Sequence, residues 1–241
     1  MVNIQKAAVI GCGFVGSTIA YTLMQKGLFS EMVLLDANKA KAEGEAMDIS
    51  HGLPFTHAMD IYAGEYEDIA DASVVIITAG ANQKPGETRL DLVQKNAAIM
   101  RSIIKEIKRV NCEGILLIVS NPVDILTEVA LRESGFPKER VIGSGTVLDT
   151  ARLKYIISEK LDVDSRNVHA FIVGEHGDSE LAAWSCANIY GIKLQDFAKM
   201  RGYEHFAQDM EEVYKGVRDS AYEIIERKGA TYYGIGMAAA V

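Results

Sequence analysis

The sequence lacks any long hydrophobic segment. Among its 241 residues no apolar run approaches the ~18 residues that a membrane-spanning helix needs, which argues against a membrane protein. The first apolar run, residues 7–10, leads into a glycine-rich turn instead of the longer apolar core and small-residue cleavage site of a signal peptide. We therefore expect a cytoplasmic protein without a membrane partner.

Cysteine is scarce and shows no pairing pattern. Cys12, Cys112 and Cys186 are widely spaced and include no C-x-x-C pair, so neither a disulfide framework nor a zinc site is expected. His51 and His57 lie near acidic residues, but their spacing fits no recognised metal pattern. The sequence therefore predicts no metal centre.

The chain also lacks an excess of basic residues. Its formal net charge is −8, and an acidic surface repels phosphate backbones, so a nucleic-acid partner is not expected. Hydrophobic residues at 49% and charged residues at 24% are typical of a globular protein. The length is sufficient for one large domain or two modest ones.

What the sequence does contain is a glycine-rich turn between a strand pattern and a helix pattern. Residues 6–10 are a short run of β-branched residues and alanine, and apolar residues return at helical spacing over 15–23. The letters GCGFVG at residues 11–16 join them, which is the context that a dinucleotide-binding fingerprint requires. The phosphates would lie at the helix N-terminus, where unpaired N–H groups favour negative charge.

Each glycine of this turn has a role in that fingerprint. Gly11 turns the chain, Gly13 lets the backbone approach a pyrophosphate, and Gly16 lets the helix pack on the strand. Asp36 follows the next strand pattern, where a carboxylate accepts hydrogen bonds from ribose hydroxyls and repels a 2′-phosphate. The pattern predicts NAD rather than NADP, with a helix N-cap as the alternative explanation of Asp36.

Strand and helix patterns alternate through the first part of the chain. This alternation predicts an α/β fold with a Rossmann-type, doubly wound parallel sheet over residues 1–143. Further strands are predicted at 31–35, 59–63, 74–78, 115–119 and 141–143, and helices at 38–49, 92–110 and 124–133.

A long polar segment, residues 78–90, follows one of these strands at the edge where ligands bind in such sheets. With Gly80 and Gly86 as hinges it could act as a lid that closes Gln83 and Arg89 over a substrate. An ordinary surface loop is the alternative.

Four more polar residues are candidates for chemistry. Asn121 follows a strand, and its amide suits a hydroxy or keto group, although Asn-Pro is also a turn signal. Asp149 and Arg152 share one helix face, as a surface ion pair would. His176 stands between two glycines and two carboxylates; a lone histidine is usually structural, so its interpretation depends on these partners.

Six motifs, in order through the whole chain, resemble the lactate and malate dehydrogenase family and in particular its bacterial L-lactate dehydrogenases. They are GCGFVG from residue 11, TAGANQKPGETR from 78, SNPVD from 120, LDTAR from 148, GEHGD from 174 and KGATYYG from 228. The resemblance implies an NAD-dependent oxidoreductase of glycolysis and fermentation that interconverts pyruvate and L-lactate.

The resemblance also implies catalytic roles. His176 would be the proton donor and acceptor, Asp149 its orienting partner, Arg152 the clamp on the substrate carboxylate and Arg89 the lid arginine. Malate dehydrogenases carry arginine where this chain has the neutral Gln83, which favours a methyl group over a second carboxylate. A malate or other 2-hydroxy acid dehydrogenase is the alternative.

By the same resemblance, Thr231 limits the substrate side chain, and further residues line the cofactor. Besides the three glycines and Asp36, these are Val15, Lys41, Tyr66, Gly80, Ala81, Ser102, Val119, Asn121 and Ser144. The two valines could equally belong to the core.

Regulation and assembly can also be inferred from the resemblance. Many bacterial relatives are homotetramers activated by fructose 1,6-bisphosphate through an arginine and a histidine at a subunit interface. The matching residues here are Lys154 and His169. Lysine keeps the charge but lacks the planar fork, so a weaker response is expected.

Family members continue beyond residue 241. The resemblance therefore implies that residues 144–241 form an incomplete α+β substrate domain. A truncated NAD-binding module with little turnover is the rival function.

Overall fold

The computed structural model describes residues 1–81, 86 and 88–241. These residues form two compact units, one of Met1–Ser144 with Tyr232–Val241 and the other of Gly145–Thr231. Within the described residues, every helix is too short or too polar to cross a membrane.

The first unit contains a six-stranded parallel sheet with the order β3-β2-β1-β4-β5-β6. Because helices cover both faces of such a sheet, the carboxyl-terminal parts of its two central strands are apolar on both sides and buried, over residues 7–10 of β1 and 75–77 of β4. The strands are β1 (Asn3–Ile10), β2 (Glu31–Leu35), β3 (Asp60–Ala63), β4 (Ala72–Ile77), β5 (Ile115–Ile118) and β6 (Val141–Gly143). The order and the parallel pairing confirm the predicted Rossmann-type sheet.

The helices of this unit have recognisable ends. They are α1 (Phe14–Lys26), α2 (Lys39–Ser50), α3 (Arg89–Arg109) and α4 (Val123–Ser134). The side chain of Asn38 caps α2 by accepting from the backbone N–H of Lys41, so Asn38 and not Asp36 is the N-cap. Helix α3 begins three residues earlier than the predicted residue 92, because Thr88 and Asp91 form a capping box.

A short terminal helix completes the first unit. Helix α8 (Tyr233–Ala238) packs on α1, and Ala240 belongs to the hydrophobic core on that face of the sheet. The ammonium group of Lys26 donates to the carbonyl oxygen of Ala240 at 2.7 Å. The compact units therefore differ from the expected division at residue 143, because burial of apolar side chains joins residues 232–241 to the first unit.

The second unit has a separate hydrophobic core. Its helices are α5 (Val147–Leu161), α6 (Leu194–Met200) and α7 (Phe206–Lys228). Its strands have two residues each: β7 (Val168–His169), β8 (Ile172–Val173), β9 (Leu181–Ala182), β10 (Asn188–Ile189) and β11 (Ile192–Lys193). Strands β7 and β8, which lie in one apolar stretch of the sequence at residues 168–173, belong to two different small antiparallel sheets.

Candidate active site

The glycine-rich turn lies between β1 and α1. Gly11 has a φ of +102°, which favours glycine, and an added Cβ there would lie 2.6 Å from the backbone nitrogen of Ala79. A Cβ at Gly16 would overlap the carbonyl oxygen of Gly11, whereas a Cβ at Gly13 would meet nothing within 4 Å. The turn and the strand-to-helix contact therefore require the first and third glycines, and the middle one leaves open space.

This open space lies at the N-terminus of α1. No side chain of the described residues caps this helix, and its N-cap residue is Gly13. The first-turn N–H groups are therefore not blocked by a side-chain acceptor, as an anion site requires.

Asp36 lies beside the same turn. One carboxylate oxygen accepts from the backbone N–H of Cys12 at 2.7 Å, and the other accepts from that of Asn38 at 2.9 Å. These bonds fix the carboxylate at the carboxyl end of β2, next to the glycines.

A buried asparagine that the sequence analysis missed joins two further candidates. Asn96, which is 3% exposed, accepts from the backbone N–H of Ala81 at 2.8 Å and donates to the carbonyl oxygen of Asn121 at 2.9 Å. The segments after β4 and β5 are therefore joined at the carboxyl edge of the sheet. Helical periodicity places Asn96 one turn before the buried Met100, on the apolar face of α3. A polar residue on that face is the sequence feature that indicates a buried hydrogen-bonding role.

The remaining cofactor candidates lie in different surroundings. Val119 and Ser144 follow β5 and β6 at the same edge, and Gly80 follows β4. Val15 and Lys41 lie in the first turns of α1 and α2, and Val15 and Val119 also pack into the core. The other two, Tyr66 and Ser102, are not strand-end residues: Tyr66 packs half-buried against the core, and Ser102 is exposed in the middle of α3.

The second unit brings Asp149, Arg152 and His176 together. One oxygen of Asp149, Oδ2, lies 2.6 Å from Nδ1 of His176, and the other, Oδ1, accepts from Nη1 of Arg152 at 2.8 Å. The side chain of Asp149 is only 3% exposed and that of Arg152 13%. The pair is therefore not the surface ion pair that spacing alone allowed.

The location of this carboxylate follows from its helix. Asp149 is a buried residue in the first turn of α5, where the helix dipole favours negative charge. Thr146 and Thr150 of the same turn contact the carbonyl oxygen of Ile172, and so attach the helix to the strand that precedes the His176 loop.

The charges of this cluster shift one another's protonation. The hydrogen bond that the Asp149 carboxylate accepts from His176 raises the pKa of His176, and it outweighs the burial that would lower that pKa. Burial alone would raise the pKa of Asp149, but the hydrogen bond to His176 and the two neighbouring cations leave that pKa lowered. Both shifts stabilise the charged forms of the two side chains relative to isolated groups.

Glu180 is a second residue that the sequence analysis missed. Its side chain is buried, and one of its oxygens lies with the Asp149 and His176 atoms in a group spanning at most 4.8 Å. Glu180 belongs to no helix or strand, so no periodicity in the sequence predicts its burial.

The remaining candidates are the lid residues, the effector residues and the residue proposed to limit the substrate side chain. Gln83 lies outside the described residues. Arg89 is the exposed first residue of α3, so it belongs to a helix and not to the preceding loop. Lys154 is half-buried on α5 and His169 is exposed on β7. Thr231 is half-buried and follows the end of α7 in the chain.

A doubly wound sheet with this turn defines a nucleotide-binding α/β protein, and comparisons with known proteins specify its class. The family model for the lactate/malate dehydrogenase NAD binding domain matches residues 5–143. The model for the lactate/malate dehydrogenase alpha/beta C-terminal domain matches residues 146–241. The chain belongs to the lactate/malate dehydrogenase family.

Individual relatives agree with this assignment. The chain is 56% identical to the L-lactate dehydrogenase of Acetivibrio thermocellus, over 98% of this chain and 74% of that protein. It is 56% identical to that of Priestia megaterium, over 97% and 73% respectively. A solved lactate dehydrogenase from a Medee basin deep-sea metagenome library superposes with a TM-score of 0.96 at 54% identity, over 100% of this chain and 76% of that one. The chain thus spans about three quarters of the length of these relatives.

Proposed function

We propose that this chain is an NAD-dependent L-lactate dehydrogenase, which interconverts pyruvate and L-lactate. The observation that carries the proposal is the buried Asp149 carboxylate, which holds an imidazole on one oxygen and a guanidinium on the other. Reduction of a 2-keto acid needs a proton donor and an anion clamp close together. The names of the relatives, L-lactate dehydrogenase, support the same activity.

The residues of the first unit fit NAD. The space at Gly13 and the uncapped start of α1 suit a pyrophosphate, and Asp36 suits an unphosphorylated ribose. Bound NADH would supply the hydride to the substrate carbonyl carbon. Val15, Lys41, Gly80, Ala81, Val119, Asn121 and Ser144 are proposed to line the cofactor, as are Tyr66 and Ser102.

His176 is proposed to move the proton. Because Nδ1 faces Asp149, the other ring nitrogen, Nε2, is the one that can face a substrate. It would give its proton to the alkoxide oxygen as pyruvate is reduced and take it back during lactate oxidation.

Arg152 is proposed to bind the substrate carboxylate. A guanidinium has five N–H donors, so its bond to Asp149 leaves donors for bidentate binding. Arg89 is proposed to polarise the substrate carbonyl, and Thr231 to limit the size of the substrate side chain.

The preference for pyruvate over a dicarboxylate is proposed to depend on the neutral Gln83. The test is the kcat/KM of the purified chain with pyruvate and with oxaloacetate, both followed as loss of NADH absorbance. We expect pyruvate to be favoured at least tenfold, because an uncompensated buried carboxylate costs more than ~1.4 kcal/mol. A higher kcat/KM for oxaloacetate would indicate malate dehydrogenase activity, and NADH binding without turnover would indicate a binding module.

Assembly, regulation and location complete the proposal. We propose a cytoplasmic homotetramer that serves glycolysis and fermentation, in which fructose 1,6-bisphosphate binds Lys154 and His169 across a subunit interface. An anion between facing cations would couple effector binding to assembly. Light scattering and pyruvate saturation curves, each with and without the effector, test this part separately. An effector that changes neither would remove it.

A further inference from the structure

The proposed mechanism does not use Glu180, although this residue lies beside its central pair. The side chain is 2% exposed, and its Oε1 atom is buried without a hydrogen-bond partner among the described residues. A buried carboxylate without full hydrogen bonding costs free energy if it is ionised. An acidic residue at such a position therefore calls for an explanation.

The backbone holds Glu180 firmly in place. Its N–H donates to the carbonyl oxygen of Gly177 at 3.0 Å, and its carbonyl oxygen accepts from the hydroxyl of Tyr214 on α7. The guanidinium of Arg218 lies over the Tyr214 ring, 5.0 Å from its centre. The residue is thus attached both to its own loop and to α7.

The groups that face the Glu180 carboxyl are mostly charged. Asp149 lies beside it from α5, and His176 lies beside it from its own loop. Arg152, also on α5, donates to the other oxygen of Asp149. When His176 is protonated and both carboxyls are ionised, the four groups carry two positive and two negative charges. Loss of the imidazole proton would leave one negative charge uncompensated.

A proton fits this cluster better than a metal ion does. Asp149, His176 and Glu180 are close enough to hold a cation, but both oxygens of Asp149 and Nδ1 of His176 are already engaged in the bonds described above. The structure instead supports sharing of a proton between Glu180 and its neighbours. Burial, followed by the charge of Asp149, raises the pKa of Glu180 to about 7.

We propose that Glu180 is a positioning residue for the proton transfer: its buried carboxylate, when ionised, is a second anion near His176 and keeps the imidazole protonated. The inference rests on the proposed function, which makes His176 the proton donor. In this role Glu180 touches neither substrate nor cofactor and acts only through the Asp149–His176 pair. Its negative charge adds to that of Asp149, which already raises the pKa of His176.

The test is an NMR titration of the full chain with isotope-labelled histidine, which requires no turnover. The chain has five histidines, and the His176 signal is identified by its loss in the His176→Asn variant. Glu180→Gln and Glu180→Met both remove the charge at nearly constant volume. We expect each to lower the His176 titration midpoint by about one pH unit, as a unit charge about 5 Å away would.

The matched control is Glu211→Gln, which makes the same substitution at an exposed position of α7. It should leave the His176 midpoint unchanged. In the unmodified chain, the His176 signal should show a second, smaller inflection near pH 7 as Glu180 titrates. A single-step titration of His176 in the unmodified chain, or an unchanged His176 midpoint in whichever Glu180 variant folds, would overturn the inference.

Failure of the inference and failure of the proposed function are distinguishable. Pyruvate-dependent NADH oxidation by the unmodified chain, measured separately, tests the function. An active chain with an unshifted midpoint would remain a dehydrogenase and would refute the role of Glu180. An inactive chain would refute both the function and a positioning role in it.

Discussion

Asp149 is the residue through which the proposed active site is held together. Each of its two oxygens serves a different cation, one for proton transfer and one for substrate binding. Spacing predicted only that Asp149 and Arg152 share a helix face. Burial decides their role, because a carboxylate that is 3% exposed must be compensated by partners.

The substitution Asp149→Asn should lower the rate of pyruvate reduction by about 100-fold or more, because the imidazole loses both its orientation and its charge partner. Since Asp149 raises the pKa of His176, the fall in kcat/KM at alkaline pH should begin at a lower pH in this variant. Steady-state kinetics across pH measure both effects. Asp162→Asn, an exposed change at a left-handed helix end, is the control and should alter neither.

The substitution Arg152→Lys should act mainly on substrate binding. Lysine keeps the positive charge but loses the planar fork, so the KM for pyruvate should rise about 10- to 100-fold, equivalent to losing ~1.5–3 kcal/mol of charged hydrogen bonding. Initial-rate kinetics provide the measurement. Arg166→Lys, at an exposed arginine in the same unit, should leave KM unchanged. An equal KM in both variants would argue against a carboxylate clamp at Arg152.

At the scale of single elements, two glycines of the turn between β1 and α1 have different roles. Gly16 is required for packing, and Gly13 leaves space for a ligand. Gly16→Ala should destabilise the chain by about 3 kcal/mol, because the new methyl group overlaps the Gly11 carbonyl oxygen. Gly13→Ala should change stability by less than about 1 kcal/mol, since its Cβ meets open space.

The affinity for NADH, in contrast to stability, should depend more on Gly13 than on Gly16. A methyl group at Gly13 would stand where the pyrophosphate approaches the backbone, so the Kd for NADH should rise about tenfold or more in a chain that remains folded. Urea unfolding and fluorescence titration with NADH measure the two quantities. A Gly13→Ala variant that binds NADH normally would contradict this assignment of the phosphate site.

Helices and strands could be predicted from the sequence where a local pattern of apolar residues was clear. The six strands of the parallel sheet and helix α2 were predicted correctly, because apolar runs and helical periodicity are local signals. The two-residue strands β7 and β8 were not predicted, because each is too short to show a strand pattern and is defined only by its pairing with another segment. The contacts of Asn96 with Asn121 and of Glu180 with Asp149 were missed for a related reason: these partners are remote in sequence, and only the fold brings them together.

At the scale of the whole molecule, the raised pKa of Glu180 has a consequence for stability. The folded chain holds a proton up to about pH 7 that the unfolded chain loses near 4.5. The stability associated with that proton is complete below about pH 4.5 and is lost as pH rises through about 7. His176, whose folded pKa is also raised, contributes a loss in the same direction above its own unfolded value of 6.5.

Replacement of Glu180 by glutamine should therefore make stability less dependent on pH. Relative to Glu180→Gln, the free energy of unfolding of the unmodified chain should fall by up to about 3 kcal/mol between pH 5 and pH 8. Urea unfolding at the two pH values measures the difference. Parallel pH dependence in the two proteins would show that the buried carboxyl does not titrate over this range.

The central claim, that His176 transfers a proton during NAD-dependent reduction of pyruvate, has one direct test. The measurement is the rate of pyruvate-dependent NADH oxidation by the unmodified chain and by its His176→Asn variant, with NADH binding checked in both. The account predicts clear activity in the unmodified chain and a loss of about 100- to 10,000-fold in the variant, with NADH still bound. Equal rates in the two proteins, or an unmodified chain that binds NADH and does not turn over, would contradict it.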